Sequence, residues 1–327
     1  MTDYSVLDLV PVREGGTLEE AYAATTALAR AAEAAGCKRF WVAEHHAMEG
    51  VAGGATSVVL AHIGNATSTI RIGSGGIMLP NHTPFLIAEQ FGTLAALFPG
   101  RVDLGLGRAP GAGPELQRAL RKDLHRAAEM FPQDTLELRA LMTGEIDLPV
   151  KATPGHGTQV EMWMLGSSLF GAQLAAKLGL PYAFASHFAP THLDAALEIY
   201  RRDFEPSSTL DRSHVMVAMN LFCADSEEEA QVLASSQLQS FVRLRTGAPG
   251  KLPPPLRDYR ASLPAQSRAM LETLDIASAV GTPQQVAEQV AAFVAHTRAD
   301  EVIFGGATYE PSARTRSLSL AMKAMRG

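Results

Sequence analysis

Apolar residues fall along this chain in short continuous runs, near 4–10, 38–43, 70–74, 101–106, 161–165, 182–186, 214–223 and 301–305. Runs of this length suit strands buried on both faces of a parallel sheet better than strands with one wet face. Between them, apolar positions recur at helical spacing near 17–35, 56–68, 84–98, 123–142, 168–178, 190–204, 226–240 and 283–296, with a last helix near 310–325. Eight strand candidates, each followed by a helix, predict an α/β fold of the (β/α)8 TIM-barrel type. Local signals agree with these boundaries. Thr17-Leu18-Glu19-Glu20 reads as a capping box, and Thr282-Pro283 puts proline at a first helical position. Gly36 and Gly179 stand just past helices, where left-handed backbone is common.

Two stretches break the rhythm. Residues 143–160, with Gly144, Pro149, Pro154, Gly155 and Gly157, form a long turn-rich connection with room for a small hairpin. Residues 241–275 include Thr246-Gly247-Ala248-Pro249-Gly250-Lys251-Leu252-Pro253-Pro254-Pro255, too rich in proline for regular structure. The expectation is one barrel domain over 1–327 with insertions at about 143–160 and 241–275, that is, after strand 4, in the strand 5 region and after strand 7. Long connections in compact domains are usually functional, so both are candidate substrate lids.

A length of 327 residues suits one such barrel, and a net charge of −6 leaves no basic stripe for nucleic acid. Cys37 and Cys223 lack CxxC partners and read as reduced thiols. The N-terminal Met1-Thr2-Asp3-Tyr4-Ser5 opens no secretory signal, and no run approaches the length of a membrane-spanning helix. The alanine-rich stretch from Ala21 to Ala35 is interrupted by Thr25, Thr26, Arg30 and Glu33, as in an amphipathic surface helix. These features predict a cytoplasmic enzyme with no membrane partner.

Candidate chemistry gathers where strands hand over to loops, the end that forms the mouth of a parallel barrel. Glu44-His45-His46 follows Phe40-Trp41-Val42-Ala43. Neighbouring side chains at a strand end point opposite ways, so one of the two histidines faces the mouth, as a general acid or base or as a residue that fixes the loop 44–55. No metal site is expected, since the first strand carries no His-x-His pair and no helix carries HExxH. Gly75-Gly76 would weaken a strand unless something needs close backbone approach, either a planar ring or a bulge at the rim. In Gly105-Leu106-Gly107-Arg108 a dinucleotide fingerprint would need glycine at Pro110. Arg108 instead offers a forked donor for phosphate, or a rim salt bridge to Asp103 or Glu115. Gly166-Ser167-Ser168 opens a helix and could hold an anion or simply cap it. His82 and His187 read as polar lining.

Taken together, these residues resemble the bacterial luciferase-like flavin monooxygenases over nearly the whole chain. The most specific stretches are Trp41-Val42-Ala43-Glu44-His45-His46, Gly73 to Pro80, Ala88-Glu89-Gln90, Phe98 to Arg108, Leu165-Gly166-Ser167-Ser168 and Leu178-Gly179-Leu180-Pro181. The resemblance implies a (β/α)8 barrel that uses FMN, reduced by a separate NAD(P)H-dependent flavin reductase, and O2 as co-substrate. A flavin C4a-(hydro)peroxide would then oxygenate a small-molecule substrate. It implies His45 as the catalytic residue, Gly75-Gly76 as a non-prolyl cis peptide under the ring, and Arg108, Ser167 and Ser168, with Gly171, around the phosphate. With the apolar helices 56–68 and 84–98 it also points to a homodimer. Two positions depart from luciferase. Gly107 replaces a reactive cysteine, so light emission from a long-chain aldehyde is not expected, and Ser167 replaces a glutamate. F420-dependent hydride transfer on the same fold, or flavin binding without turnover, are the alternatives.

Overall fold

The computed structural model describes residues 2–109, 114–146 and 149–326. Strand β1 (Asp3–Asp8) leads to α1 (Leu18–Ala34), β2 (Arg39–Val42) to α2 (Thr56–Ala66) and β3 (Arg71–Met78) to α3 (Pro84–Leu97). Next come β4 (Val102–Gly107), α4 (Pro114–Leu120), α5 (Leu124–Glu129) and α6 (Phe131–Thr143), then β5 (Glu161–Gly166) and α7 (Leu169–Leu178). They are followed by β6 (Tyr182–Phe184), α8 (Leu193–Arg202), β7 (Val215–Cys223), α9 (Glu227–Arg245), α10 (Tyr259–Ser262) and α11 (Ala265–Asp275). The chain ends with β8 (Ser278–Gly281), α12 (Pro283–Thr297), β9 (Glu301–Gly305) and α13 (Pro311–Arg326).

All strand pairings are parallel, and the ring closes in the order β1-β2-β3-β4-β5-β6-β7-β9. This is the (β/α)8 barrel expected from the alternation. The capping boxes at Thr17 and Thr282 form, and Gly36 and Gly179 have φ of 73° and 60°. Cys37 and Cys223 are buried free thiols.

Three expectations need correction. Strand β8, missed in the sequence, lies outside the ring and pairs with the last turn of β7 through Asn220–Cys223. Its residues Ser278-Ala279-Val280-Gly281 are too small and too few to stand out as an apolar run. Residues 241–275 are largely helical: α9 runs on to Arg245, the prolines occupy only the turn after it, and α10 and α11 follow. Phe241, Leu271 and Leu274 give these helices a small core of their own. Residues 144–146 and 149–160 hold no strand among the described residues, so no hairpin forms there, and Gly155 packs against Ala88 and Gly92 of α3 instead of covering the mouth.

The barrel interior is filled in layers, because alternate residues of each strand point inward. At the N-terminal end, fully buried Arg39 donates through Nε to Glu301 Oε1 at 2.9 Å and through Nη1 to Asp103 Oδ2 at 2.9 Å. Ser5 hydroxyl donates to the same Glu301 oxygen, and Arg71 Nε donates to Asp103 Oδ1 at 2.9 Å. Above this layer lie Leu7, Trp41, Trp163, Met216 and Ile303. Trp41 and Trp163 meet edge to face at 5.2 Å; the first donates its indole N–H to Asp103 at 3.0 Å, and the Arg39 guanidinium lies 4.6 Å from the ring of the second. Gly73 and Gly75 make room for them: a Cβ at Gly73 would lie 2.7 Å from Trp41 Nε1, and one at Gly75 would lie 2.6 Å from Leu7 Cδ1. Gly105 and Ala218 stand in register with Trp163 and Ile303 and leave room for those larger side chains. The barrel is therefore plugged at its N-terminal end.

Removing one partner of a buried charge cluster strands the rest. Glu301→Ala is expected to lower the unfolding free energy by about 3 kcal/mol in urea titrations. The double replacement Arg39→Met with Glu301→Leu should cost less than that single change. A wild-type midpoint for Glu301→Ala would contradict this reading of the plug.

Candidate functional site

Strand β2 ends at Val42, and the loop that follows turns back over the mouth. Glu44, at 2% exposure, is its anchor. One carboxylate oxygen accepts from His46 Nε2 at 2.6 Å and from His82 Nε2 at 2.7 Å; the other accepts the Met78 backbone N–H at 3.2 Å. The carboxylate thus ties the β2 loop to the end of β3. Burial raises its pKa, but the two histidine hydrogen bonds outweigh that and bring it down to about 2. His46 is shifted up by its bond to Glu44. These three donor atoms lie within 4.8 Å of one another, the kind of set that could hold a metal ion, and direct hydrogen bonds join them here.

His46 is thus committed to loop structure. His45 is the histidine that keeps a buried ring nitrogen, Nδ1, without a partner. Its pKa is lowered by burial, with the His46 charge adding and Glu44 opposing. His187, from the loop after β6, is close enough to couple with it; burial and His45 push His187 down to about 4, and its Nδ1 is also unpartnered. Near neutral pH the mouth thus presents two neutral imidazoles with ring nitrogens available for proton transfer.

Strand β3 crosses the mouth with a defect. The Gly75-Gly76 peptide is cis, and the register to β4 shifts between Ser74 and Ile77. The strand continues to Met78 rather than stopping at 74. A Cβ on Gly76 would lie 2.7 Å from the Gly105 carbonyl oxygen, so only glycine fits against β4 there. Gly105 faces the same constraint, since its Cβ would lie 2.2 Å from the Ser74 carbonyl. The result is a bare backbone ledge.

Arg108 follows β4, exposed, with its guanidinium 4.2 Å from the ring of Phe170 in the first turn of α7. The salt-bridge alternatives are not realised: Asp103 is engaged by Arg39 and Arg71 at the other end of the barrel, and Glu115 pairs with Arg118. Ser168 stands at the N-cap of α7 yet makes no capping bond. Ordinary capping is therefore not what Ser167 and Ser168 do here. The first N–H groups of α7 stay available beside a cation, an arrangement suited to a phosphate. Gly171 is buried one turn in, with Gly166 Cα 3.8 Å from where its Cβ would stand. Of the segment that follows Arg108, residues 110–113 lie outside the described residues.

On the other arc of the mouth, an apolar cavity of about 160 Å³ is lined by Leu9, Met48, His187, Phe188, Phe241 and Leu244, among others. From the 241–275 segment, Phe241 and Leu244 of α9, Pro249, Gly250 and Leu252 of the turn, and Leu274 of α11 form part of this wall. Phe188 and Phe241 meet edge to face at 5.8 Å, and Arg245 bridges them, 4.9 and 5.0 Å from their rings. A larger cavity of about 420 Å³ lies between α9, α10 and β8, with Gln237 in the wall between the two. Glu44 as a hub and the pairing of His187 with His45 were not foreseen. An acidic residue directly after an apolar strand was the only signal for the first, and the second joins segments 142 residues apart.

A model of the family described as luciferase-like monooxygenase matches residues 2–301. A protein named luciferase-like monooxygenase from Escherichia coli (strain K12) is 44% identical over 328 residues, covering 98% of each chain. The N-acetyl-S-alkylcysteine monooxygenase of Bacillus subtilis (strain 168) is 33% identical over 255 residues, 76% of this chain and 75% of that one. Among solved structures, apo-MsnO8 superposes with a TM-score of 0.88 at 31% identity, covering 100% of this chain and 99% of its own.

Because the His187 pKa in the fold lies below the ordinary histidine value of 6.5, the unfolded chain binds more protons between that value and about 4. The neutral ring's stabilising contribution is complete above 6.5 and is lost as pH falls toward 4. His187→Gln is expected to lose less Tm than wild type between about pH 7 and about pH 5. An equal loss would mean that His187 does not titrate in this way.

Proposed function

The chain belongs to the luciferase-like monooxygenase family, and from that premise we propose that it is a reduced-FMN-dependent monooxygenase. It places one atom of O2 on a small organic substrate, with the reduced flavin supplied by a separate NAD(P)H-dependent reductase. The observation that carries this reading is the pairing of Arg108, which has no carboxylate partner among the described residues, with the uncapped N-terminus of α7. A flavin mononucleotide needs such a dianion site at one end and a bare surface for its ring at the other. The Gly75-Gly76 ledge is that surface, and its fit to β4 leaves no room for a side chain.

In this reading Arg108 holds the phosphate with two donors, while the Ser167 and Ser168 hydroxyls and the first N–H groups of α7, near Gly171, complete the cradle. When bound, the reduced flavin supplies the electrons that activate oxygen. His45 holds or delivers a proton at Nδ1, and burial keeps it neutral between transfers. Glu44, through His46, His82 and Met78, fixes the loop that carries His45 against the ring ledge. Phe188, Phe241 and Leu244 exclude water from the adjoining cavity. The relative named as an N-acetyl-S-alkylcysteine monooxygenase supports oxygenation as the reaction class.

Exposed Val58 on α2 and Leu86 and Leu97 on α3 would form the homodimer face. No helix of the described residues is long and apolar enough to cross a membrane, which suits a cytoplasmic enzyme.

The test is an anaerobic titration with reduced FMN and with reduced riboflavin, which lacks the phosphate. Wild type should prefer FMN by about tenfold or more, and Arg108→Ala should lose that preference while Glu115→Ala keeps it. An unchanged FMN affinity in Arg108→Ala would refute the phosphate assignment. Binding of reduced F420 in place of reduced FMN would replace oxygenation by hydride transfer.

A further inference from the structure

Resting on the reading of the mouth as a flavin monooxygenase site, we infer that its apolar cavity takes an uncharged molecule of about benzene size that carries one hydrogen-bond-accepting oxygen, held by Ser240. A cavity of about 150 Å³ walled by aliphatic and aromatic side chains is large enough for benzene. This one measures about 160 Å³ and is walled by residues such as Leu9, Met48, Phe241, Leu244 and Leu252. Leu252, Leu274 and the Pro249-Gly250 turn line it, and Arg245 clasps Phe188 to Phe241 at its edge.

Charge is excluded by the same walls. Among the described residues on the lining, only Arg314 and His187 are ionisable. The Arg314 guanidinium is committed to the fully buried Asp8 carboxylate and to the Leu7 carbonyl. His187 is neutral at ordinary pH. A carboxylate in the cavity would therefore find no free cation, and an ammonium would find no free carboxylate. Either ion would lose its hydration without compensation.

The polar atoms that remain define the anchor. Gln237 is engaged on both sides: its amide donates to Asn220 Oδ1 at 2.6 Å, and its carbonyl accepts the Ala307 N–H at 2.6 Å. Ser240 Oγ and His187 Nδ1 are buried and have no hydrogen-bond partner among the described residues. Both residues line the cavity. Buried polar atoms in an apolar chamber are stable when a ligand completes their hydrogen bonds. Asn220 Nδ2 fixes the backbone of His187 by donating to its carbonyl at 2.9 Å, and the His187 ring stands over Gly305, where a Cβ would come within 3.5 Å of Cδ2. Ser240 thus supplies an O–H donor from α9 and His187 a neutral ring nitrogen from the rim.

Ligand-observed NMR on the full chain, with and without FMN, tests this with three probes of one shape: cyclohexanone, cyclohexanecarboxylate and cyclohexylamine. Cyclohexanone should bind wild type, bind Ser240→Ala about tenfold more weakly, and fail to bind Leu244→Trp, which fills the cavity. The anion and the cation should not bind. The inference is overturned by binding of either ion as tight as that of the ketone, by unchanged ketone affinity in Ser240→Ala, or by no ketone binding to natively folded wild type. Because these readouts need no flavin, their failure leaves the FMN assignment standing, and loss of that assignment leaves them intact.

Discussion

The Arg39–Glu301–Asp103 cluster is the constraint on which the rest of this molecule depends. It joins β2, β9 and β4 through the interior at the N-terminal end, and Arg71 and Trp41 add further bonds to the same carboxylates. Such a cluster is stable only when every member is satisfied and water is shut out. Trp41 and Trp163 provide that seal, and the inward glycines of β3 leave room for Trp41 and Leu7. With one end of the barrel closed in this way, the glycine ledge and the apolar cavity lie at the other end, the mouth.

The mouth then divides by physical character. The arc of β3, β4 and β5 is backbone and cation: the Gly75-Gly76 ledge, Arg108 and the uncapped start of α7. The arc of β9, β1 and β2, under α9, is apolar and covered. Between them stand His45 and His187, kept neutral by burial, while Glu44 draws His46 and His82 into a fixed clamp. The four histidines thus take different roles according to whether a carboxylate reaches them. His46 and His82 have Glu44; His45 and His187 each keep a buried Nδ1 without a partner among the described residues.

Much of the barrel was legible because its strands are apolar runs and helices such as α1, α7 and α12 are marked by a cap or a terminal glycine. The glycine pair, Arg108 and Ser167-Ser168 stood out as candidates because paired glycines weaken a strand, and a forked cation and hydroxyls at strand ends suit an anion. Other features left no local trace. Strand β8 is four small residues whose pairing is decided by the exposed edge of β7. The helices α10 and α11 follow a proline-rich turn and are stabilised by contacts with α9. The approach of Ser240 and Gln237 to the rim depends on how α9 lies across the barrel, a tertiary fact that no spacing in the chain records. The Glu44 clamp was half visible, since the motif was plain but its partner His82 arrives from another loop.

The central claim is that this mouth controls how a reduced flavin meets oxygen. Stopped-flow mixing of the FMNH2-loaded protein with oxygenated buffer tests that most directly. The account expects reoxidation to pass through a long-lived stage spectrally distinct from both reduced and oxidised flavin, shortened about tenfold or more in His45→Ala at unchanged FMN affinity. Direct reoxidation at the free-solution rate, identical in the two proteins, would contradict it.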